Sequence, residues 1–277
     1  MDLLKAIQAS SSLEKVKEII DSIGIPADSN YFDYECLNAA FETRQKDVAI
    51  FLLQKGCRVN RTMEVSTAVD TPLHHAVKQS DMELVHQLLN RKASITETNK
   101  DQNTPVHLTF MTRNDQMVDA MLLHVKHTNY ANPKDKQGLI HMHIACMRNN
   151  VKVVQGFLEN GNDIEHQINL DSYFMANYKP LHLAVVFMCL DVVKVLLTAG
   201  AKNNLYSNDK ISPKNLAKHN FGNASIIEYL ILGKDEKYLY CMPQRGLSNF
   251  HYVCMTNDSS LVKKFIENGV DLDRLCK

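Results

Sequence analysis

The chain has 277 residues, 45% hydrophobic and 22% charged, so it can bury a large core and lacks the composition of a disordered chain. Its 31 basic residues (Lys, Arg) and 31 acidic residues (Asp, Glu) give a formal charge of zero. This balance argues against broad binding of nucleic acid or anionic membranes, which relies on a basic excess, but leaves local patches open. Ten Gly and seven Pro are few for an all-β sandwich, and twelve Met with no Trp favour helices packed on helices.

The N-terminus and the cysteines indicate an intracellular protein. Asp2 lies at the second position and no apolar run follows it, so the start does not read as a secretory signal. The longest uncharged apolar stretch, 183–190, is too short to span a bilayer. The seven cysteines include no C-x-x-C pair and most lie in apolar patterns, which favours reduced, buried thiols. We expect a cytoplasmic location, with the nucleus as an alternative.

A six-residue motif recurs along the chain after an N-terminal unit at 1–34. It begins at residues 35, 71, 104, 140, 179, 212 and 248, in steps of 36, 33, 36, 39, 33 and 36. The clearest copies are Thr71–Ala76 (TPLHHA), Thr104–Thr109 (TPVHLT) and Lys179–Ala184 (KPLHLA). A register kept over seven copies predicts a repeat architecture.

Each copy predicts two short helices. Thr71 or Thr104 suits the N-cap, where its hydroxyl accepts from a free amide, and the Pro that follows suits the first helical position. A second segment, such as 82–89 or 151–158, has apolar residues at the helical period. Gly often ends it, as at Gly56 and Gly161, where a left-handed C-cap is needed. Two short helices cannot bury their apolar faces alone, so successive repeats must stack.

These residues resemble the ankyrin repeat, whose hallmark is T-P-L-H-x-A in a unit of 33 residues. The resemblance covers nearly the whole chain. It implies an all-α solenoid of stacked helix-turn-helix repeats, elongated and curved, with β-hairpin fingers, in a single domain over 1–277. It also implies that the motif histidines form hydrogen bonds between repeats: His74, His107, His143, His182 and His251.

Two departures from the pattern carry expectations. The 39-residue step enlarges the finger at 167–178, which carries Tyr173 and Phe174. The last repeat keeps apolar residues where a terminal repeat is normally polar, among them Phe265 and Ile266. We therefore expect the sequence to belong to a longer array or to a protein with a further C-terminal module. We expect a monomer, or weak self-association through this exposed last repeat.

The chain shows no pattern for catalysis or metal binding. Its twelve histidines include His141 with His143 and His124 with His127, but a zinc site needs three or four converging ligands and no Cys pair completes one. No P-loop, G-x-G-x-x-G or G-x-S-x-G occurs. We expect no enzyme activity, no metal and no cofactor.

Binding of another protein is the remaining function. In ankyrin-repeat proteins, partners usually contact the finger tips and the concave face of the first helices. The candidate residues on first helices and the turns after them are Lys78, Met111, Met147, Arg148, Phe187 and Met255, and those on fingers are Lys100, Asp101, Lys136, Asn208 and Arg245, with Tyr173 and Phe174 on the enlarged finger. Core packing is the alternative for the Met positions. Asn60 and Asn204 occupy the finger-base position that is hydroxylated in some ankyrin-repeat proteins.

The sequence therefore favours a non-enzymatic scaffold or adaptor that binds a protein partner and binds neither nucleic acid nor membrane. Three alternatives stay open. The chain can be an inhibitor that masks a partner such as a transcription factor, the cytosolic domain of a channel, or part of a multidomain enzyme.

Overall fold

A computed structural model describes residues 3–23, 34–60, 70–136, 138–168, 177–207, 211–219, 224–232 and 249–269. These residues form pairs of short helices at the spacing of the motif. The first helices of the pairs are α1 (Leu3–Gln8), α3 (Tyr34–Glu42), α5 (Pro72–Lys78), α7 (Pro105–Met111), α9 (His141–Met147), α11 (Pro180–Val186), α13 (Pro213–His219) and α15 (Asn249–Met255). The second helices are α2 (Leu13–Ile23), α4 (Lys46–Gln54), α6 (Met82–Asn90), α8 (Asp115–Leu123), α10 (Val151–Glu159), α12 (Leu190–Thr198), α14 (Ala224–Leu232) and α16 (Ser259–Glu267).

The chain divides into two compact units, residues 1–136 and 137–277. In the first unit, α3 packs on α5 and α5 on α7, and each also packs on its own second helix. In the second unit, α9 packs on α11 and α11 on α13 in the same way. The core of each unit is made of aliphatic and aromatic side chains from both helices, such as Phe41 and Leu88 in the first and Phe157 and Leu196 in the second. Stacked helix-turn-helix repeats of an all-α solenoid are thus confirmed.

The motif residues cap the first helices as predicted. Thr71 Oγ1 accepts from the His74 N–H at 3.3 Å, and His74 Nδ1 accepts from the Thr71 N–H at 3.1 Å. Thr104 and His107 form the same reciprocal pair. Two free amides at each helix start are satisfied in this way, and Pro occupies the first helical position, where it has no amide to lose.

Three of the motif histidines also bind the next repeat. Because Nδ1 of His74 accepts from a backbone amide, Nε2 carries the hydrogen, and it donates to the Asn103 carbonyl at 2.9 Å. His143 donates to the His166 carbonyl at 3.0 Å, and His182 to the Ile211 carbonyl at 3.2 Å. Each acceptor lies on the finger that precedes the next motif. The predicted cross-repeat role is therefore confirmed for these three histidines.

A left-handed residue joins the two helices of nearly every repeat. It recurs at the motif spacing with φ between 52° and 58°, at Ser10, Arg44, Ser80, Arg113, Asn149, Met188 and Asn257. The next amide then bonds back to the carbonyl of the motif Ala, as Asp81 does to Ala76 and Cys189 to Ala184. This Schellman closure ends the first helix. The second helix begins at once, often with a capping side chain such as Asp81 or Asn150.

The described parts of the fingers are tight turns, and no β-strand forms among the described residues. Asn99 and Asn103 close one finger by a backbone bond of 3.0 Å, with Gln102 in the left-handed conformation. Ile168 pairs with Asn177 and Tyr178 at the base of the enlarged finger, whose residues 169–176 lie outside the described residues. With so few residues on each side of the turn, one or two backbone bonds replace a strand ladder.

Candidate protein-interaction surface

Four of the predicted contact residues are exposed, or nearly so, at the ends of first helices or the turns after them. Met111 exposes 60% of its surface, Phe187 40% and Met255 53%. Lys78 is also exposed and forms an ion pair with Asp70. Large apolar side chains exposed at repeated positions are typical of binding surfaces when they are contiguous, and are otherwise ordinary.

Met147 does not face solvent, and its predicted outward position is wrong. Only 6% of its surface is exposed. The turn of the following repeat lies against it, since the Cys189 thiol donates to the Met147 carbonyl at 3.6 Å. The Asn149 side chain beside it also accepts from the Val192 amide at 3.3 Å. Met147 therefore belongs to the packing between repeats, and Arg148, which follows it, is half-buried.

The first compact unit presents a polar depression next to Lys78. It has a volume of about 440 Å³ and is lined by Phe41, Glu42, Arg44, His75, Lys78 and Gln79. Burial would raise the pKa of Asp70, but hydrogen bonds from Lys78 and from Asn99 (2.7 Å) outweigh it, and the pKa is lowered. Burial lowers the pKa of His75. At neutral pH the depression therefore holds a neutral histidine beside an ion pair.

The finger residues of the first unit pair with each other. Lys100 and Asp101 are exposed at the tip of the 99–103 turn, and the Lys136 ammonium lies 3.5 Å from an Asp101 carboxylate oxygen. Asn208, Arg245, Tyr173 and Phe174 lie outside the described residues. The structure thus brings together the predicted rim of one finger pair and gives no placement for the others.

The second compact unit carries apolar exposure that the sequence argument missed. Met188, next to Phe187, exposes half of its surface. It occupies the left-handed turn position at which the other repeats have polar residues (Ser10, Arg44, Ser80, Arg113, Asn149, Asn257), and this contrast was the signal in the sequence. On the last helix pair, a depression of about 540 Å³ is lined by residues that include Cys254, Val262 and Ile266.

Asn60 and Asn204 differ although they share a register. The Asn60 amide donates to the Lys92 carbonyl at 2.8 Å and accepts from the Ser94 amide at 2.7 Å, both on the next repeat. Asn204 is exposed, and the neighbouring Asn203 instead bonds the Leu230 carbonyl at 3.3 Å. Hydroxylation at Asn60 and Asn204 stays a prediction.

His, Cys, Asp and Glu side chains that could bind a metal ion or act in catalysis occur throughout the part of the chain that the structure describes. There, no three His, Cys, Asp or Glu side chains are grouped to hold a metal ion. Cys146 and Cys189 are buried free thiols, and burial raises the pKa of each, so both are protonated at neutral pH. His143 and His182 are engaged in cross-repeat hydrogen bonds.

Among the residues that the structure describes, no helix combines the length and the apolar character needed to cross a bilayer.

Comparison with known proteins gives the same family as the geometry. The family of ankyrin repeats (3 copies) matches residues 73–168 and 121–207. The chain is 28% identical to human transient receptor potential cation channel subfamily A member 1 over 208 residues, 73% of this chain and 17% of that protein. It is 26% identical to mouse Rabankyrin-5 over 208 residues, covering 71% of this chain and 17% of that protein. Mouse B-cell lymphoma 3 protein homolog is 25% identical over 208 residues, 73% of this chain and 44% of that protein.

The chain spans about a sixth of the length of the first two of these relatives. Its family membership rests on the repeat itself, namely the capped first helices, the Schellman turns and the cross-repeat histidines, together with the matches above. Residues 73–207 are therefore ankyrin repeats, and the chain is an ankyrin-repeat protein.

Proposed function

We propose that this chain is a non-enzymatic scaffold or adaptor that binds a protein partner through the ends of its first helices and its fingers. Ankyrin repeats are in general protein-protein interaction modules and typically non-catalytic. The observation that carries the proposal is the exposure of Met111 and Met255 at the same position of their repeats, and of Phe187 one residue after that position in its own repeat. Water-exposed Met and Phe side chains gain free energy when a partner covers them.

A double variant tests this proposal. Met111→Glu/Phe187→Glu changes one exposed side chain in each compact unit and leaves the core intact. Tyr229→Glu is the matched control, because Tyr229 is an aromatic residue of similar exposure (37%) on the second helix α14. Affinity capture from cell lysate, with mass spectrometry, should identify a partner held by the wild type and by the Tyr229→Glu variant and lost with the double variant.

The outcomes separate binding modes. Capture that survives the double variant moves the site away from the first-helix ends and contradicts the proposal. Capture lost with Tyr229→Glu as well shows that added negative charge alone is responsible. A folded wild type that captures no partner favours the second candidate, a repeat module that acts within a larger protein.

That second candidate is favoured by the similarity to the human cation channel over 73% of this chain. In that case the repeats position a domain of the same protein instead of recruiting a separate one. An inhibitor that masks a transcription factor is a further form of the binding role. Within the scaffold proposal, the adaptor differs from the inhibitor in whether the captured partner keeps its activity while bound.

We also propose an intracellular location, in the cytoplasm or nucleus. Five described cysteines are free thiols and four of them are buried, which suits a reducing compartment. Imaging of the tagged chain tests the location.

A further inference from the structure

The first compact unit carries a row of cations just after its second helices, which we call the basic edge. Its members are Lys55 and Arg58 after α4, Arg91 and Lys92 after α6, and Lys126 after α8. All are exposed except Lys55, which is half-buried. We propose that the basic edge binds an acidic, extended segment of a protein partner, at a site separate from the first-helix ends discussed above.

The cations of the basic edge are not neutralised by described residues. None of them forms an ion pair with a carboxylate in the described ranges. Lys55 instead lies 5.5 Å from the centre of the Phe51 ring, and Lys17 lies at the same distance from it. The basic edge is therefore open to carboxylates from another molecule.

Three acids of these repeats lie at the other ends of the same helices, whereas Glu97 and Asp101 lie between α6 and α7. Asp81 and Glu83 at the start of α6 hold Lys46 at 2.8 and 2.9 Å, and Asp115 starts α8. A nine-residue helix is about 13 Å long, so these acids are separated from the basic edge although the whole chain is neutral.

The helix macrodipole alone does not account for the cations of the basic edge. Cations are favoured at helix C-termini because the macrodipole is negative there. The second compact unit has the same helix ends with fewer cations: α10 ends at Glu159 and Asn160, α12 at Thr198 and Ala199, and α16 at Glu267 and Asn268, and among its described residues Lys202 is the one cation at the register of Arg58. The dipole is present in both units, so the cations of the first unit need another explanation.

The stacking of the repeats gives the basic edge a period. Asn60 bonds the backbone of Lys92 and Ser94, so the residues after α4 lie against those after α6. The first helices of these repeats pack on each other, α3 on α5 and α5 on α7, and packed helices are about 8–10 Å apart. An extended peptide in the polyproline II conformation has three residues per turn and rises about 3.1 Å per residue, so carboxylates at every third residue share one face and match one repeat each. The geometry therefore fits an extended peptide with an acid at positions i, i+3 and i+6.

A peptide fits better than a nucleic acid. Duplex DNA is wide enough to reach past the basic edge to Asp81, Glu83 and Asp115, which repel phosphates. A single extended peptide can follow the row of cations and stay clear of those acids. Its affinity should fall with added salt, as expected for exposed charge pairs.

The test uses the full chain and a fluorescent peptide of about twelve residues with Glu at every third position and Gly or Ser between, sized to span three repeats. The variant Arg58→Gln/Arg91→Gln/Lys126→Gln removes one cation per repeat. The control Lys152→Gln/Lys263→Gln/Lys264→Gln removes three exposed lysines that lie within second helices of the second compact unit, so the net charge changes equally. Anisotropy should show affinity reduced roughly tenfold or more by the first variant and changed less than about twofold by the control.

Measurements on the wild type alone keep the proposal testable if the variant loses its circular-dichroism signal. A peptide with Lys in place of Glu should not bind, and a peptide with the same Glu residues in one block should bind more weakly. Equal binding of the Lys and Glu peptides, or equal losses in both triple variants, would overturn the proposal. Tighter binding of a short single-stranded DNA or of phosphatidylserine vesicles, lost with the first variant, would overturn the assignment to an acidic peptide.

Discussion

Asn60 connects two repeats through both atoms of its side-chain amide. Its removal leaves a carbonyl and an amide unpaired at the junction, so Asn60→Ala should lower the free energy of unfolding by about 1 kcal/mol or more. Asn204 has the same register and no such bond to a described residue, so Asn204→Ala should change it by less than about 0.5 kcal/mol. Urea unfolding followed by circular dichroism measures both. Equal losses would contradict the structural role of Asn60.

Met147 and Phe187 should respond in opposite ways to the same substitution. Met147→Glu places a carboxylate in the packing between repeats and should destabilise the fold by about 3 kcal/mol or more. Phe187→Glu leaves the new charge in water and should cost less than about 1 kcal/mol. Leu196→Glu, a fully buried position of α12, gives the reference for a core charge. A melting temperature for Met147→Glu close to that of the wild type would contradict the burial of Met147.

At these positions the sequence could predict the register but not the exposure. Met111 and Met147 occupy the same place in their repeats, yet one exposes 60% of its surface and the other 6%. The difference arises from the turn of the neighbouring repeat, where Cys189 contacts Met147. Contacts between residues some forty positions apart depend on how repeats settle on each other, and local pattern does not contain that information.

At the scale of the helix, the cap of α7 can be separated from its packing. Thr104 is fully buried, and its hydroxyl accepts from the His107 amide. Thr104→Val keeps the volume but leaves that amide without its side-chain acceptor, which should cost about 1–2 kcal/mol. Thr104→Ser keeps the acceptor and loses one methyl group, about 0.8 kcal/mol. Urea unfolding should therefore rank Thr104→Ser above Thr104→Val, and the reverse order would assign the role of Thr104 to packing.

The helix starts were predictable because their signals are local. The Thr-Pro pair and the His three residues after Thr satisfy amides within one turn, so the sequence alone places α5 and α7. The end of α8 was less predictable, since no Gly follows it. There the chain forms a 3-10 helix, Val125–Thr128, and then turns through Asn129 and Tyr130 at positive φ. Lys92 adopts the left-handed conformation after α6 in place of the expected Gly.

At the scale of the whole molecule, zero net charge conceals a segregation that only the structure makes visible. The composition has no basic excess. The register of the repeats then places acids at the starts of α6 and α8 and cations after their ends. The sequence contained this signal in the residues that follow each second helix, but its meaning depends on the stacking that aligns them.

Stability of the whole chain should fall as the pH is lowered from 7 toward 4, and His182 is the main titrating group. Burial lowers the pKa of His182 to about 4, against a backbone hydrogen bond that raises it. The usual value of 6.5 applies to the unfolded chain, so acid protonates the unfolded state first. The stability that neutral His182 contributes is complete above about pH 6.5. It is lost as the pH falls from there to about 4, and the total loss is on the order of 3 kcal/mol.

Urea unfolding between about pH 7 and pH 4.5 measures this slope, above the range in which Asp70 with its lowered pKa takes up a proton. His182→Gln removes the titrating ring and its bond to the Ile211 carbonyl, so the variant should be less stable at pH 7. Its stability should nevertheless change less with pH, because the unfolded variant has no imidazole at position 182 that acid can protonate. Equal slopes for wild type and variant would show that the acid sensitivity arises elsewhere, with His75, whose pKa burial also lowers, as the next group to replace.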